Sequence, residues 1–489
     1  MEKSIFVQCL KDTGIAELLT GLIGEDASLQ TQSRMYEEFE KSAQASRDGD
    51  QEFNTRIAEA RLLTGNVFDP AKTGYYSECY KKLFGLQRVL RSYSRLNEGS
   101  EKKIWLLQVS RTLLEACDTV TAKDFDYVPE TTALELRAMN DFPQKHSRTL
   151  AEIRKKLSYI RSELGSLPLI KLRFNVAGDK AYGCSLEMTG KASGTSGLVH
   201  SSSLELPEEL AGRLEYFRPE LFASIDEFCE QRELEIIDLS NEFAGFSQTL
   251  GYLLNLEKLY GLLRRNNFPL CHPRPSRRTT DLINLCDVSG LLLRRNNLNR
   301  QIVPNNLTLH RKDMMTLISG PVGSGKTSYL RAVAIANLFF MIGMPVAAAM
   351  GSMVPVNGIY ICPRGYDPEI IPEGSGLDNT LVLILWPDSK ETSREDLDQV
   401  VAKLAELSGK GANGIIAVRA FSGHGNSGTI SEIVPDNVPL MDPVSGRDGK
   451  CTYRFKTVHR GDDSRATDII SRYGLDKSDL LLRFRSRNR

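Results

Sequence analysis

The sequence predicts a multidomain protein, in which a helical region with one small β insertion precedes an α/β domain. Three observations lead to this fold class. Apolar residues recur at helical spacing through most of the chain up to residue 263. Two strand-like segments interrupt that pattern between residues 170 and 188. From about residue 280, strand and helix patterns alternate, which is typical of a central sheet with helices packed on it.

Length and composition agree with this prediction. The chain has 489 residues, which is too many for one ordinary domain, and roughly three domains are expected. Its hydrophobic content of 41% and charged content of 25% are those of an ordinary globular protein. A net charge of zero gives the molecule as a whole no attraction to nucleic acid, so such contacts would need local basic patches.

Cysteine usage and hydropathy bear on the compartment. The nine cysteines are dispersed and form no C-x-x-C pair, which indicates reduced thiols and predicts a cytoplasmic protein, or a nuclear one in a eukaryote. The longest apolar stretch, Ala332–Met350, is interrupted by Asn337, Gly343 and Pro345 and lacks stop-transfer charges at its ends. We therefore expect a buried helix in this stretch and no membrane contact.

Three segments are predicted within the helical region. Residues 1–147 form a helical N-terminal region. Residues 148–205 begin as a charged amphipathic helix and continue as a β-hairpin, with strands at Ile170–Phe174 and Tyr182–Met188. Residues 206–275 return to a long helical stripe, and a cluster of prolines at its end marks a boundary.

Residues 276–489 form the predicted α/β domain. Its predicted strands are Met314–Ile318, Gly358–Ile361, Leu381–Leu385, Ile415–Val418 and Thr452–Phe455. Its predicted helices are Thr327–Ile342, Arg394–Leu407 and Ala466–Tyr473. Because strands and helices alternate, we expect one central sheet with helices on its faces.

A glycine-rich loop lies between the first of these strands and the first of these helices. Its spacing, G-x-x-x-x-G-K-[ST], is met by Gly320, Gly325, Lys326 and Thr327. Glycines let backbone N–H groups turn inward around phosphate without a clash at Cβ, and the following helix directs its N-terminal dipole at the same anion. The predicted contacts to a nucleotide's phosphates are Gly320, Pro321, Val322, Gly323, Ser324, Gly325, Lys326, Thr327 and Ser328.

Two side chains of this loop have specific predicted roles. Lys326 supplies positive charge to the β- and γ-phosphates, and the Thr327 hydroxyl is the predicted ligand of Mg²⁺. An alternative interpretation is an unrelated P-loop enzyme such as a small-molecule kinase. Such an enzyme would need a carboxylate at the carboxyl edge of the sheet to bind its acceptor substrate. The sequence offers no clear residue for that task.

Three blocks around this loop resemble the ATPase domain of MutS proteins. They are Ile302–Leu309 (IVPNNLTL), Leu317–Ala334 (LISGPVGSGKTSYLRAVA) and Met341–Ala348 (MIGMPVAA). The family has a proline-asparagine lead-in, a phosphate loop followed by Tyr-Leu-Arg, and a turn glycine. Tyr329, Leu330 and Arg331 match the second of these features, and Gly343 matches the third.

Further blocks extend the resemblance over roughly residues 150–476. Leu169–Thr189 looks like the strand pair of the family's clamp domain, and Tyr216–Leu221 looks like the start of its returning lever helix. Thr452–Asp476 is similar to its final strand and dimer-contact helix. The resemblance implies a helical core and lever with a small β clamp insertion, followed by an α/β P-loop ATPase domain of the ABC type. It also implies ATP and Mg²⁺ as cofactors and a homodimer formed through the ATPase domain.

The sequence departs from the family in the residues that would hydrolyse ATP. MutS ATPases end a buried strand in an Asp-Glu pair, whereas the corresponding segment here, Leu381–Ser393, has Trp386 and Pro387 at those positions. Asp388 comes one or two residues late and could only partly replace the metal-side carboxylate. The family's signature helix is missing, and its histidine switch leaves only a displaced His424. We therefore assign no catalytic residue and predict weak ATPase activity.

The resemblance also implies a nucleic-acid partner. No segment resembles the family's mismatch-reading domain, and members without it are implied to act on branched or recombination DNA. At the clamp hairpin, Lys171, Arg173 and Lys180 would contact the DNA backbone without reading its sequence. Two interpretations stay open: a MutS-like DNA-binding protein of repair or recombination, and a nucleotide-binding scaffold that acts through protein partners instead of DNA.

Overall fold

The computed structural model describes residues 2–97, 99–121, 133–165, 169–177, 180–189, 219–295, 302–311, 315–363, 371, 376–386, 394–419, 434–435, 437–445 and 451–458. The chain divides into two compact units. One unit consists of Met1–Thr64 and Asn255–Arg489, and the other consists of Gly65–Leu254. The first 64 residues therefore fold together with the C-terminal part of the chain.

The N-terminal half is helical, as the sequence predicts. Its first helices are α1 (Lys3–Asp12), α2 (Ile15–Ile23), α3 (Glu25–Asp48) and α4 (Asp50–Phe68). They are followed by α5 (Pro70–Tyr93), α6 (Ser100–Thr121), α7 (Leu134–Lys145), α8 (Ser147–Gly165) and, after the hairpin, α9 (Pro219–Arg265). Helix α5 starts as its sequence requires, because Asp69 caps it by accepting a hydrogen bond from the Ala71 N–H, and Pro70 occupies its first turn.

The second unit is a helical assembly with a β-hairpin. Strands β1 (Leu169–Ala177) and β2 (Lys180–Thr189) pair antiparallel, with Leu169 opposite Thr189, so the predicted hairpin is confirmed. Aromatic rings fill the helical core, where Phe142 of α7 and Phe243 of α9 stack with their ring centroids 4.3 Å apart. Lys171, Arg173 and Lys180 occupy positions on the two strands, and their side chains lie outside the described part of the structure.

The first unit contains a six-stranded sheet in the order β12-β11-β6-β10-β9-β8. These strands are β6 (Thr316–Gly320), β8 (Gly358–Cys362), β9 (Thr380–Leu385), β10 (Ala412–Arg419), β11 (Leu440–Ser445) and β12 (Cys451–Val458). All neighbouring pairs are parallel except β11 and β12. The five strands predicted from the sequence are all present, and helices on this sheet confirm the α/β class of the region.

A second, four-stranded sheet in the order β3-β7-β4-β5 accompanies it. It consists of β3 (Arg274–Pro275), β4 (Thr279–Leu285), β5 (Asn305–His310) and β7 (Met350–Met353). The helices of this part of the chain are α10 (Gly290–Arg295), α11 (Lys326–Met341) and α12 (Arg394–Gly409). Predicted helix Ala466–Tyr473 lies outside the described residues.

Helix α11 forms the centre of the first unit. It follows β6, whose five residues are all buried, and it is itself buried along almost its whole length. The N-terminal helices cover it: the rings of Phe53 and Phe340 lie 5.8 Å apart, and Thr64 Oγ1 donates to the carbonyl oxygen of Gly343 at 3.1 Å. Gly343 has a φ of 74°, and a Cβ there would lie 2.5 Å from the Cβ of Ala60, so only glycine fits.

This packing explains the apolar stretch that follows the glycine-rich loop. The sheet and the N-terminal helices bury most of Ala332–Met350, so this stretch needs apolar side chains. In the part of the chain that the structure describes, no helix combines the length and the apolar character that a membrane span needs.

Candidate functional site

The glycine-rich loop connects the buried strand β6 to α11. Gly323 and Gly325 have φ angles of 78° and 95°, in the left-handed region that favours glycine. At Gly320 the restriction is one of space, because a Cβ would lie 2.9 Å from Ser324 Oγ and 3.0 Å from Pro443 Cγ. The glycines of the motif are therefore required by the geometry of the loop.

Lys326 reaches back across the loop that precedes it. Its Nζ donates to the carbonyl oxygens of Gly320 at 2.7 Å and Pro321 at 2.8 Å. The residue is only 8% exposed, so its ammonium group is held in a fixed place among the backbone groups of the loop. A buried positive charge at the start of a helix makes this loop a favourable environment for an anion.

The first turn of α11 continues the same surface. Thr327 and Ser328 are half-buried there, directly after Lys326. The N–H groups of a helix's first turn have no partner within the helix, and they carry the positive end of its dipole. Backbone donors, a lysine and two hydroxyl groups thus lie together at one end of α11.

A pocket of about 740 Å³ opens over this end of the helix. Part of its wall is the loop and the first turn of α11. The remaining wall residues come from β4, β5, β9, β12 and the segments next to them, and they are Leu285, Asp287, Gly290, Ile302, Val303, Asn305, Leu385, Cys451, Thr452 and Tyr453. The pocket therefore combines a polar, cationic end with an apolar side, which suits a ligand that has an anionic and an apolar part.

The position of the pocket follows from the order of the strands. Strands β8, β9 and β10 lie on one side of β6, whereas β11 and β12 lie on the other. The chain thus fills one side of the sheet and then crosses β6 to fill the other. Crevices at the carboxyl ends of parallel strands, at such a switch point, are the usual ligand sites of open α/β sheets.

Asp287 is a pocket residue that sequence reasoning missed. It follows β4, and its Oδ1 accepts hydrogen bonds from the N–H of Ser289 at 2.9 Å and from the hydroxyl of Ser289 at 2.6 Å. Burial raises the pKa of the Asp287 carboxyl. Hydrogen bonds from Ser289 and Ser328 and the positive charge of Arg331 partly offset that effect. The D-x-S spacing signals a local turn, but nothing in it indicates a contact with the glycine-rich loop.

Asn305 and Tyr453 form another part of the wall. Asn305 Nδ2 donates to the carbonyl oxygen of Tyr453 at 3.0 Å, and its Oδ1 accepts from the N–H of Phe455 at 2.8 Å. Tyr453 has a φ of 60°, which is uncommon for an aromatic residue, and its ring is half exposed beside Gly325. The asparagine side chain thus fixes β12 beside the loop.

Strand β9 is the segment in which the sequence lacks an acidic pair. Its last residue, Leu385, lines the pocket, and the N–H of Trp386 donates to the carbonyl oxygen of Ala417 at 2.8 Å. The end of β9 therefore lies at the loop's edge of the sheet, with β10 between β9 and β6. Pro387, Asp388 and His424 lie outside the described residues. Within the described ranges, no group of three or more His, Cys, Asp or Glu side chains could hold a metal ion.

The fold and the site define the class of this region: an α/β fold that carries a glycine-rich, cationic loop between a central strand and a buried helix. No family model matches the chain. A segment of 56 residues is 39% identical to Endonuclease MutS2 of Anaeromyxobacter sp. (strain Fw109-5). That segment is 12% of this chain and 7% of the endonuclease, so the similarity supports a MutS-related segment and nothing larger.

Proposed function

We propose that residues Gly320–Ser328 bind the phosphates of ATP. The observation that carries this proposal is the position of Lys326, whose ammonium is held by the carbonyl oxygens of Gly320 and Pro321 at the start of α11. Its charge lies where the β- and γ-phosphates of a nucleotide would meet the helix N-terminus. The apolar side of the pocket, which includes Ile302 and Val303, offers a surface for the base.

Mg²⁺ fits the same site. Magnesium usually keeps several waters and binds through few protein groups together with the phosphates of the substrate, so it needs no dense cluster of carboxylates. The Thr327 hydroxyl lines the pocket next to Lys326 and would be the protein's direct ligand. When bound, the ion would neutralise charge between the β- and γ-phosphates.

Hydrolysis of ATP is expected to be slow. Among the described residues that line the pocket, Asp287 is the one carboxylate, and it already accepts hydrogen bonds from Ser289 and Ser328. We therefore assign it a structural role in the turn and not the role of a general base. Trp386 stands where the resemblance places an acidic residue. Because phosphoryl transfer needs several groups in place at once, loss of the base leaves a site that holds ATP better than it cleaves it.

We propose DNA of repair or recombination as the partner of this ATP-binding protein. The similarity to Endonuclease MutS2 supports a link to that group of proteins, and the chain contains the β1–β2 hairpin that the resemblance assigns to a clamp. Lys171, Arg173 and Lys180 would contact phosphate groups of the DNA backbone. Two copies of the chain would associate through the ATPase domain, and nucleotide occupancy would control the closure of the clamp.

The ATP proposal is tested by titration of a fluorescent ATP analogue into the purified full chain. Lys326→Ala is expected to weaken binding by about 100-fold or more, because it removes the ammonium group that the loop holds at the start of α11. Lys410→Ala removes a lysine that does not line the pocket and serves as the matched control. Equal affinity of the wild type and Lys326→Ala would disprove the phosphate site.

The DNA proposal is tested by gel-shift assays with branched and linear duplexes, with and without ATP. Binding that falls steeply as salt rises, and that changes with ATP, is the expected result. An absence of DNA binding together with intact ATP binding would instead favour the scaffold that acts through protein partners.

A further inference from the structure

The turn between α1 and α2 packs directly against the residues that support the pocket. Arg331, in the second turn of α11, donates from Nε to the carbonyl oxygen of Asp12 at 2.9 Å. Gly14 lies on the other side of the same turn, where a Cβ would be 3.0 Å from Leu292 Cδ1 and 3.2 Å from Ser289 Cβ. Two separate contacts thus bring the start of the chain to the nucleotide site.

Arg331 connects this turn to the helix that follows the glycine-rich loop. Asp12 is the last residue of α1, so its carbonyl oxygen belongs to the negative end of that helix and is a favourable partner for a guanidinium group. Arg331 lies four residues after Thr327, on the same side of α11. Its charge also attracts the Asp287 carboxylate, which accepts a hydrogen bond from Ser328.

The contact at Gly14 also bears on the Asp287 carboxylate, through Ser289. The Ser289 hydroxyl donates to Asp287 Oδ1 at 2.6 Å, and the Cβ of Ser289 lies 3.2 Å from the place that a Cβ on residue 14 would occupy. Displacement of the α1–α2 turn would therefore disturb two of the groups that act on Asp287, namely Arg331 and Ser289. Through Ser328, that disturbance would reach the first turn of α11, where the phosphates would bind.

We propose that Arg331 is a positioning residue that couples docking of the α1–α2 turn to nucleotide binding at the glycine-rich loop. This inference rests on the proposed ATP site and adds a regulatory input to it. Coupling between two sites is reciprocal: if the docked turn strengthens ATP binding, then ATP must stabilise the docked turn by the same factor. A protein or ligand that pulled α1 and α2 away would release the nucleotide.

The test compares two glycines that both have positive φ angles but differ in their surroundings. Gly14 has φ 79° and ψ 3°, and Gly24 has φ 84° and ψ 167°. Replacement by alanine strains the backbone at both, and more at Gly24, whose conformation is essentially restricted to glycine. An added Cβ at Gly24 has no atom within 4 Å, whereas one at Gly14 presses on Leu292 and Ser289. Gly24→Ala is therefore the control for a general loss of stability, because it strains the backbone at least as much without touching Leu292 or Ser289.

We expect Gly14→Ala and Arg331→Gln each to raise the Kd for ATP by about tenfold, and Gly24→Ala to leave it within about twofold. In the wild type, saturating ATP should slow hydrogen exchange in α1 and α2, and Arg331→Gln should lose that protection. Arg331→Lys, which keeps the charge, should recover part of the affinity.

Two results would overturn the inference, and they are distinguishable. If the wild type binds ATP but Gly14→Ala and Arg331→Gln bind it equally well and differ only in thermal stability, the contacts are structural and the coupling is wrong. If the wild type binds ATP no better than Lys326→Ala, the proposed ATP site fails, and the coupling fails with it.

Discussion

The Nζ of Lys326 lies 2.7 Å from the carbonyl oxygen of Gly320, so a hydrogen bond joins the first residue of α11 to the last residue of β6. This bond closes the glycine-rich loop on itself. The loop therefore has a defined shape that depends on its glycines, on the buried strand before it and on the buried helix after it. The contribution of the glycines can be measured by substitution.

Substitution of two loop glycines should distinguish two reasons why the loop needs glycine: lack of space for a Cβ, and backbone strain at a positive φ. Gly320→Ala places a Cβ against Ser324 and Pro443. In Gly323→Ala the new Cβ has no atom within 4 Å, so the substitution strains only the backbone, whose φ is 78°. We expect Gly323→Ala to cost about 1–2 kcal/mol of stability and Gly320→Ala to cost more. Thermal melts of both variants measure this. A greater loss for Gly323→Ala would contradict the observed packing at Gly320.

Asn305 should contribute to stability through both ends of its amide. Asn305→Ala loses the bonds to Tyr453 and Phe455 and leaves their backbone groups without these partners. We expect a loss of about 1–3 kcal/mol in the free energy of unfolding. Asn305→Asp can still accept from the Phe455 N–H but cannot donate to Tyr453, so it should be intermediate at pH 7. Denaturant titration distinguishes the three proteins. If Asn305→Asp is as stable as the wild type, the bond to Tyr453 contributes nothing.

The parts of this site that the sequence predicts are those encoded by neighbouring residues. The loop, its flanking strand and its helix form from one continuous segment, and the observed helix starts at Lys326, one residue before its predicted start at Thr327. Asp287 and the α1–α2 turn escaped prediction because they reach the site only through tertiary packing. Arg331 and Asp12, for example, are 319 residues apart along the chain. Local periodicity carries no information about such contacts.

Cysteine reactivity should report on the pocket. The eight cysteines whose side chains the structure describes are free, and burial raises the pKa of the thiols of Cys9 and Cys79 to about 12 each. Thiolate is the reactive form, so these two should stay unmodified by iodoacetamide at pH 8. Cys451 is only partly buried and lines the pocket. Saturating ATP should slow its alkylation several-fold, as followed by peptide mass spectrometry.

Cys271 provides the internal control for that experiment. It is partly buried and does not line the pocket, so ATP should leave its rate of alkylation unchanged. Equal rates at Cys451 with and without ATP would show that the nucleotide does not occupy this pocket. Slower alkylation at both sites would instead indicate a general tightening of the fold.

Charge reversal at the hairpin should reveal whether it meets DNA. The variant replaces Lys171, Arg173 and Lys180 with glutamate, and its affinity for duplex DNA should fall. The plot of log K against log salt should become less steep by about 0.9 for each lost phosphate contact, or by up to about 3 in total. ATP binding should stay the same, because these residues belong to the other compact unit. An unchanged salt slope would place the DNA contacts elsewhere in the chain.

Replacement of Thr327 should show how magnesium is held. Thr327→Val keeps the shape of the side chain but removes the hydroxyl that lines the pocket beside Lys326. Because Mg²⁺ would be held by Thr327 together with the phosphates of ATP, we expect the wild type to bind ATP more tightly with Mg²⁺ than with EDTA. The variant should lose most of that difference while its affinity in EDTA stays within about twofold of the wild type. Calorimetric titrations under both conditions measure this. Ser328→Ala removes the neighbouring hydroxyl and should keep the gain in ATP affinity that Mg²⁺ gives. If both variants lose that gain, the substitutions distort the first turn of α11, and Thr327 is not shown to be a metal ligand.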